Sequence, residues 1–265
     1  MPEAYTLHPG STPLLISMPH NASEIPPELA ARMYDYARSS PDTDWFLDRL
    51  YAFAPALGIG LLKPTWSRYV IDLNRPQDDA SLYPGSDITG LCPLSCFDRR
   101  PIYLPGQEPQ PAEISQRIEN CWQPYHQALN TELERLLAQF GVAVLFEAHS
   151  IASRVPRFFA GQLPDLNLGS NDGASCDPSM QQALVEVAID SGYSWVLNGR
   201  FKGGYITRAY ARPQAQLHSF QLELSQACYL DEAKQSWDPH LASNIQTVLE
   251  HMLKTLLAWS QTRMR

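Results

Sequence analysis

Two textures alternate along this chain: short runs that are apolar almost throughout, and longer stretches in which apolar residues return every third or fourth position. The first suits strands buried in a sheet, the second helices with one packed face. Residues 13–18, 59–63, 67–73, 142–146 and 194–197 belong to the first texture, and residues 217–225, LHSFQLELS, alternate with strand period. Helical spacing covers residues 28–38, a stretch entered through Asp42-Thr43-Asp44, residues 113–140 with a kink or break at Pro124, residues 178–191 after Asp177-Pro178, and a last helix opening at Asp238-Pro239. Asp42 or Thr43 is the N-cap in this reading, which sets Asp44 in a first helical turn where the dipole favours a carboxylate. Residues 76–110, 161–177 and 198–208, rich in Pro, Gly, Asn and Asp, read as loops. Strands alternating with helices predict an α/β fold, one domain over residues 1–265 with an open sheet covered on both faces.

In such sheets ligands gather outside the carboxyl ends of strands, so polar residues arriving where an apolar run stops are candidates for chemistry. The run at 142–146 stops at Glu147-Ala148-His149-Ser150, the run at 13–18 at Pro19-His20-Asn21, and the run at 67–73 at Asn74-Arg75. On a strand over 217–225, Ser219, Gln221, Glu223 and Ser225 share one face, able to line a cavity or to meet solvent at a sheet edge. Two histidines and one carboxylate bind zinc and leave a position open, the catalytic arrangement, and a separate carboxylate can act as base. Asp44, at a helix start, can join the two histidines, and Glu223 is a further carboxylate. No H-E-x-x-H, G-x-S-x-G or phosphate-loop motif is present.

Composition narrows the partners. A net charge of −8 and a pI near 5.3 exclude a broad nucleic-acid or anionic-membrane footprint. The five cysteines are odd in number and scattered, which fits a reducing compartment, and residues 1–10 carry no signal-like pattern, so the expectation is cytoplasmic.

The chain resembles the N-formylglutamate amidohydrolases, the deformylases of histidine degradation. The segments that carry the resemblance are LLISMPHNASEIP, DTDWFLDRLY, SRYVIDLNRP, LYPGSDITGLCP, WQPYH, EAHSIASRVPRFF, LPDLNLGSNDGASCDP, LNGRFKGGYITR and LHSFQLELSQACYLDE, nearly end to end. It implies a single-domain mixed sheet of the zinc-carboxypeptidase-like (phosphorylase/hydrolase-like) kind, and a metal-dependent enzyme that cleaves N-formyl-L-glutamate to formate and glutamate. It further implies His20, His149 and Asp44 as ligands of Zn2+, with Asp44 preferred to Glu24, and Glu223 as catalytic base. Arg68, Asn74, Arg75, Arg200 and Arg208 are the implied carboxylate and carbonyl binders. Ligand type alone suits zinc or iron. Ala22 stands where many relatives have glycine, which implies strain if the backbone there is left-handed. A zinc amidase or carboxypeptidase acting on another N-acyl amino acid or peptide is the alternative, and oligomeric state stays open.

Overall fold

The computed structural model describes residues 3–81 and 87–264; residues 82–86, the start of the LYPGSDITGLCP segment, and the chain ends lie outside the described residues. The chain begins with β1 (Tyr5–His8), β2 (Leu14–Ser17), three single-turn helices α1 (Pro27–Ala30), α2 (Asp35–Arg38) and α3 (Leu47–Leu50), and β3 (Gly60–Pro64). Then come α4 (Pro111–Arg117), α5 (Gln123–Phe140), β4 (Ala143–Ile151), β5 (Leu166–Gly169), α6 (Pro178–Asp190), β6 (Trp195–Leu197), α7 (Tyr205–Tyr210) and β7 (Leu217–Ser225). A small hairpin, β8 (Leu230–Asp231) with β9 (Ser236–Trp237), precedes α8 (Pro239–Gln261).

The main sheet runs β1-β3-β2-β4-β7-β5-β6. β3, β2, β4 and β7 are mutually parallel, while β1 and β5 join antiparallel, so the sheet is mixed as expected. Strand alternation divides its side chains between two cores. Leu14, Ile16, Val144, Phe146, Ala148, Phe220, Leu222 and Leu224 pack against α3, α6 and α8. Leu15, Leu62, Ala143, Leu145 and Leu217 pack on the other face against α5 and residues 69–73. That second face is apolar only in its first half. Along β4 it continues through Glu147 and His149, along β7 through Gln221 and Glu223, all buried. The functional face is thus built by period-two patterning.

Several expectations are corrected. The strand expected at 142–146 continues to Ile151, paired with β7 throughout, so Glu147 and His149 project from the strand instead of following it. β7 is interior, flanked by β4 and β5, which removes the solvated-edge reading. Residues 67–73 form turns: the Ser67 hydroxyl accepts from Tyr69 N (3.0 Å) and Ser67 O from Val70 N (2.9 Å), a local alternative to a ladder that still buries Tyr69, Val70 and Ile71. Residues 28–38 divide into α1 and α2 because Met33 pairs its backbone with Tyr103. The helix after Asp44 starts at Leu47, behind Phe46 in a left-handed conformation (φ 57°), so Asp44 lies before the helix and Asp42 caps nothing. Around Pro124 the helix continues, with a π turn over Ile118–Trp122 absorbing the missing donor. β5 and the first four residues of α7 fall in stretches read as loops, and β1 lies where no element was expected. Ala22 has no positive φ, so the expected strain does not arise.

Candidate metal centre and active site

His20 follows β2, Asp44 precedes α3 and His149 stands on β4; one donor atom from each lies within 4.8 Å of the others. The backbone sets this up, since Asp44 N donates to His20 O (3.0 Å) and Ser150 N donates to Asp44 Oδ2 (3.1 Å). Behind each imidazole is a buried carboxylate. Asp72 Oδ1 lies 2.7 Å from His20 Nε2, and Glu147 Oε1 lies 3.2 Å from His149 Nε2. Both rings therefore turn Nδ1 toward Asp44 Oδ2, at 3.8 Å from His20 and 3.0 Å from His149. Carboxylates holding the far nitrogen fix tautomer and ring orientation for metal ligation.

The electrostatics follow from burial. For His20, burial and the Arg68 charge outweigh Asp72 and Asp44, lowering its pKa and leaving a neutral ring whose Nδ1 lone pair faces a carboxylate. Burial opposes charge on His149 too, but hydrogen bonds to Asp44 and Glu147 prevail and raise its pKa well above the usual value. Burial likewise disfavours ionised Asp44 and Asp72; their histidine partners and Arg68 nevertheless hold both low. Burial raises Glu147 against the pull of His149. Asp44, Asp72, Glu147 and Glu223 are buried, and Arg68 is buried with them. Burial holds Glu147 and Glu223 toward the neutral form, a cost that a cation bound beside them would relieve, and the His20 Nδ1 lone pair opposed to the Asp44 carboxylate at 3.8 Å is the gap such a cation fills. The donor set fits a divalent metal.

Glu223 is the Cα partner of His149 in the β4–β7 register, so the two side chains stand side by side. Burial, reinforced by Asp44, pushes its pKa up to about 8 against the pull of His149, Arg68 and Arg200. Asn167 of β5 anchors the strand behind it, donating from Nδ2 to Glu223 O (3.1 Å).

Asn74 has its amide orientation fixed: Oδ1 accepts from Ile206 N (2.8 Å), leaving Nδ2 beside His149 Nε2 (3.0 Å). The carbonyls on either side of it are held by α5 and the π turn, Leu73 O by His126 Nε2 (2.9 Å) and Arg75 O by Trp122 Nε1 (2.8 Å), with the two rings stacked 3.6 Å apart. Gln221 Oε1 accepts from Gly204 N (2.7 Å), and a Cβ on Gly204 would lie 2.4 Å from Asn74 Nδ2, so glycine is required by close approach.

His20, Asp44, Asp72, Asn74, His149, Gln221 and Glu223 line one cavity with Arg68, Arg75, Thr89, Arg200 and an apolar wall of Ile88, Phe97, Phe158 and Phe201. Arg68 is committed to Asp72 (Nη2 to Oδ2, 2.8 Å) and lies 3.8 Å from Asp44. Arg75 lies 3.4 Å from Thr89 Oγ1, and Arg200 donates from Nε to Phe158 O (2.7 Å). Arg208 stands behind the lining, with Nε on Gly203 O (2.9 Å). Glu24 is exposed and is not among the clustered donors. Sequence reasoning gave no role to Asp72; it placed Gln221 on the polar face able to line a cavity, as observed, and Glu147 in the polar group after an apolar run, without assigning either a partner. A place for both at the site was within reach of that reasoning, each lying two positions before His149 or Glu223 on the same strand face.

A family model for N-formylglutamate amidohydrolase matches residues 12–230. N-formylglutamate deformylases of Pseudomonas aeruginosa and Pseudomonas putida are 48% and 46% identical over 265 residues, covering 99% of this chain and of each relative. The crystal structure of an N-formylglutamate amidohydrolase from Ralstonia eutropha JMP134 superposes with a TM-score of 0.81 at 26% identity, covering 98% of both chains. A protein of Agrobacterium tumefaciens shares the fold, with a TM-score of 0.73 at 17% identity over 97% of this chain and 95% of that one. The zinc-carboxypeptidase-like α/β fold implied by the resemblance is the one observed.

Proposed function

Since the chain belongs to the N-formylglutamate amidohydrolase family, we propose that it is a metal-dependent hydrolase that splits N-formyl-L-glutamate into formate and L-glutamate during histidine degradation. The observation that carries this reading is Glu223 placed beside His149 at the rim of the His20, Asp44, His149 donor set. We place the reaction in the cytoplasm, in keeping with five buried free thiols.

His20 and His149 through Nδ1, with Asp44 through a carboxylate oxygen, are the ligands in this proposal. A divalent ion bound there supplies Lewis-acid charge and lowers the pKa of water at the site. Glu223 takes the proton of the attacking water on its carboxylate and returns it to the amide nitrogen, so glutamate leaves as a neutral amine. A base lifted by burial toward neutrality suits both transfers. Arg68, the guanidinium 3.8 Å from Asp44, stabilises the negative charge that develops on the formyl oxygen as water adds to the formyl carbon, a contact typically worth about 3 kcal/mol. Arg75 with Thr89, and Arg200, hold the two substrate carboxylates, while Asn74 donates from Nδ2 to a substrate oxygen. Arg208 acts one layer back, through Gly203.

The test is formate release from N-formyl-L-glutamate, before and after dialysis against a chelator and after restoring Zn2+. Activity that survives complete metal removal would refute the metal-dependent reading.

A further inference from the structure

One wall of the cavity comes from a long segment of irregular backbone. Ile88, Thr89 and Phe97 line it, and residues 87–94 contain no strand or helix. A wall made of irregular backbone needs side chains to hold it, or it samples several positions and orders only when ligand binds.

The side chain that meets this need is Arg157, from the segment between β4 and β5. Its Nε donates to Asp87 Oδ1 (2.9 Å), and its Nη1 to Ser95 Oγ (3.0 Å) and Cys96 O (2.8 Å). Its Nη2 reaches Ile88 O (3.2 Å) and Asp87 Oδ1 (2.8 Å). The five donors of a guanidinium are thus matched by five contacts, all to the wall segment, and the side chain is only 7% exposed. The next residue completes the arrangement: the Phe158 ring packs edge-on against Phe97 with centroids 4.8 Å apart, and Phe158 O accepts from Arg200. Arg157 is not among the cavity-lining residues.

We propose that Arg157 is a positioning residue for substrate binding: its guanidinium fixes residues 87–89 and 95–97 as a preformed cavity wall, so that affinity does not carry the cost of ordering them. This rests on the reading of the cavity as the N-formylglutamate site, and the experiment separates the two. Lysine cannot replace arginine here, because one ammonium does not span acceptors on both parts of the segment.

The experiment compares wild type, Arg157→Ala, Arg157→Lys and Asp87→Ala by hydrogen–deuterium exchange and by steady-state kinetics. Arg157→Ala should speed exchange within residues 87–97 while β4 and β7 keep their protection. Its KM for N-formyl-L-glutamate should rise about tenfold or more, with kcat within about threefold of wild type. Arg157→Lys should retain most of the defect, and Asp87→Ala, which leaves the Ser95, Cys96 and Ile88 contacts, should show a smaller one in both measures. Unchanged exchange and KM in Arg157→Ala, or a fall in kcat at constant KM, overturns the proposal. Should wild type not cleave the substrate, the functional reading fails and exchange alone decides: faster exchange in the segment supports the clasp, unchanged exchange refutes it. If Arg157→Ala does not fold, Asp87→Ala decides alone, its side chain being 41% exposed, and no change in either measure overturns the proposal.

Discussion

Asp72→Asn isolates the carboxylate behind His20 with little change of shape, and the donor count around it fixes what should happen. Oδ1 faces two donors, His20 Nε2 (2.7 Å) and Asn74 N (2.9 Å), and Oδ2 faces one, Arg68 Nη2 (2.8 Å). An asparagine must turn its NH2 to one side. Turned toward His20 it opposes two donors, so the amide oxygen stays there and the NH2 meets the guanidinium. The cost then falls mainly on Arg68, which loses its one 2.8 Å carboxylate contact and keeps Asp44 at 3.8 Å, the Asp42 charge and the face of the Phe97 ring. Breaking a buried pair from one side costs about 3–5 kcal/mol, and the isosteric amide should sit at the lower end, about 3 kcal/mol. For a chain of this length that lowers Tm by roughly 6–12 °C, measured by calorimetry on metal-free protein so that ligand linkage does not enter. The His20 tautomer survives, so metal affinity in a chelator competition should fall only about tenfold, the low end for an outer-shell change. Asp72→Ala, which releases the ring, should lose about a hundredfold. An unchanged Tm in Asp72→Asn would refute the placement of the lost charge, and complete loss of metal would mean that Asp72 is itself a ligand.

Other expectations follow from the same geometry. His149→Ala should purify without metal, whereas Glu24→Ala, at an exposed position, should retain about one ion per chain; elemental analysis distinguishes them. Glu223→Gln should keep metal and fold but lose at least about a hundredfold in kcat, and near-normal turnover would remove Glu223 as base. Gly204→Ala drives a Cβ into Asn74, 2.4 Å from its Nδ2, and should reduce kcat/KM by about tenfold or more while the metal stays; a wild-type kcat/KM would show that Asn74 is dispensable. N-formyl-L-glutamine, lacking one carboxylate, should react with kcat/KM roughly 30- to 150-fold lower than N-formyl-L-glutamate, and equal values would mean that the arginines do not select the substrate.

Much of the fold was legible because burial leaves a mark on composition. Leu14–Ser17 and the first half of Ala143–Ile151 are apolar almost throughout, Leu217–Ser225 alternates, and the helix starts at Asp177 and Asp238 are read from Asp-Pro pairs whose carboxylates do cap the helices. Leu166–Gly169 was missed because four residues among Asn, Gly and Pro carry too little period, and residues 67–73 were misread because burial alone does not distinguish a packed turn from a strand. In the candidate site, local pattern brought out His20, His149 and the polar face with Glu223, whereas the choice of Asp44 over Glu24 came from family resemblance. Chain spacing could not make that choice: Asp44 meets the histidines through the fold, 105 residues from His149 in sequence. Asp72 left no signal, since a carboxylate inside a turn has no period.

The position of β7 also bears on how the protein comes into being. It is the last of the seven sheet strands in the sequence but lies inside the sheet, between β4 and β5. While the chain emerges from the ribosome, everything through residue 216 can be present with β4 and β5 still lacking the strand that joins them. Both would show open backbone edges, the kind of surface that recruits other chains. Arrival of residues 217–225 closes those edges and, in the same event, brings Glu223 beside His149. A chain lacking residues 217–225 would therefore be adhesive and inert together, since the strand that closes the open edges is the one that carries Glu223.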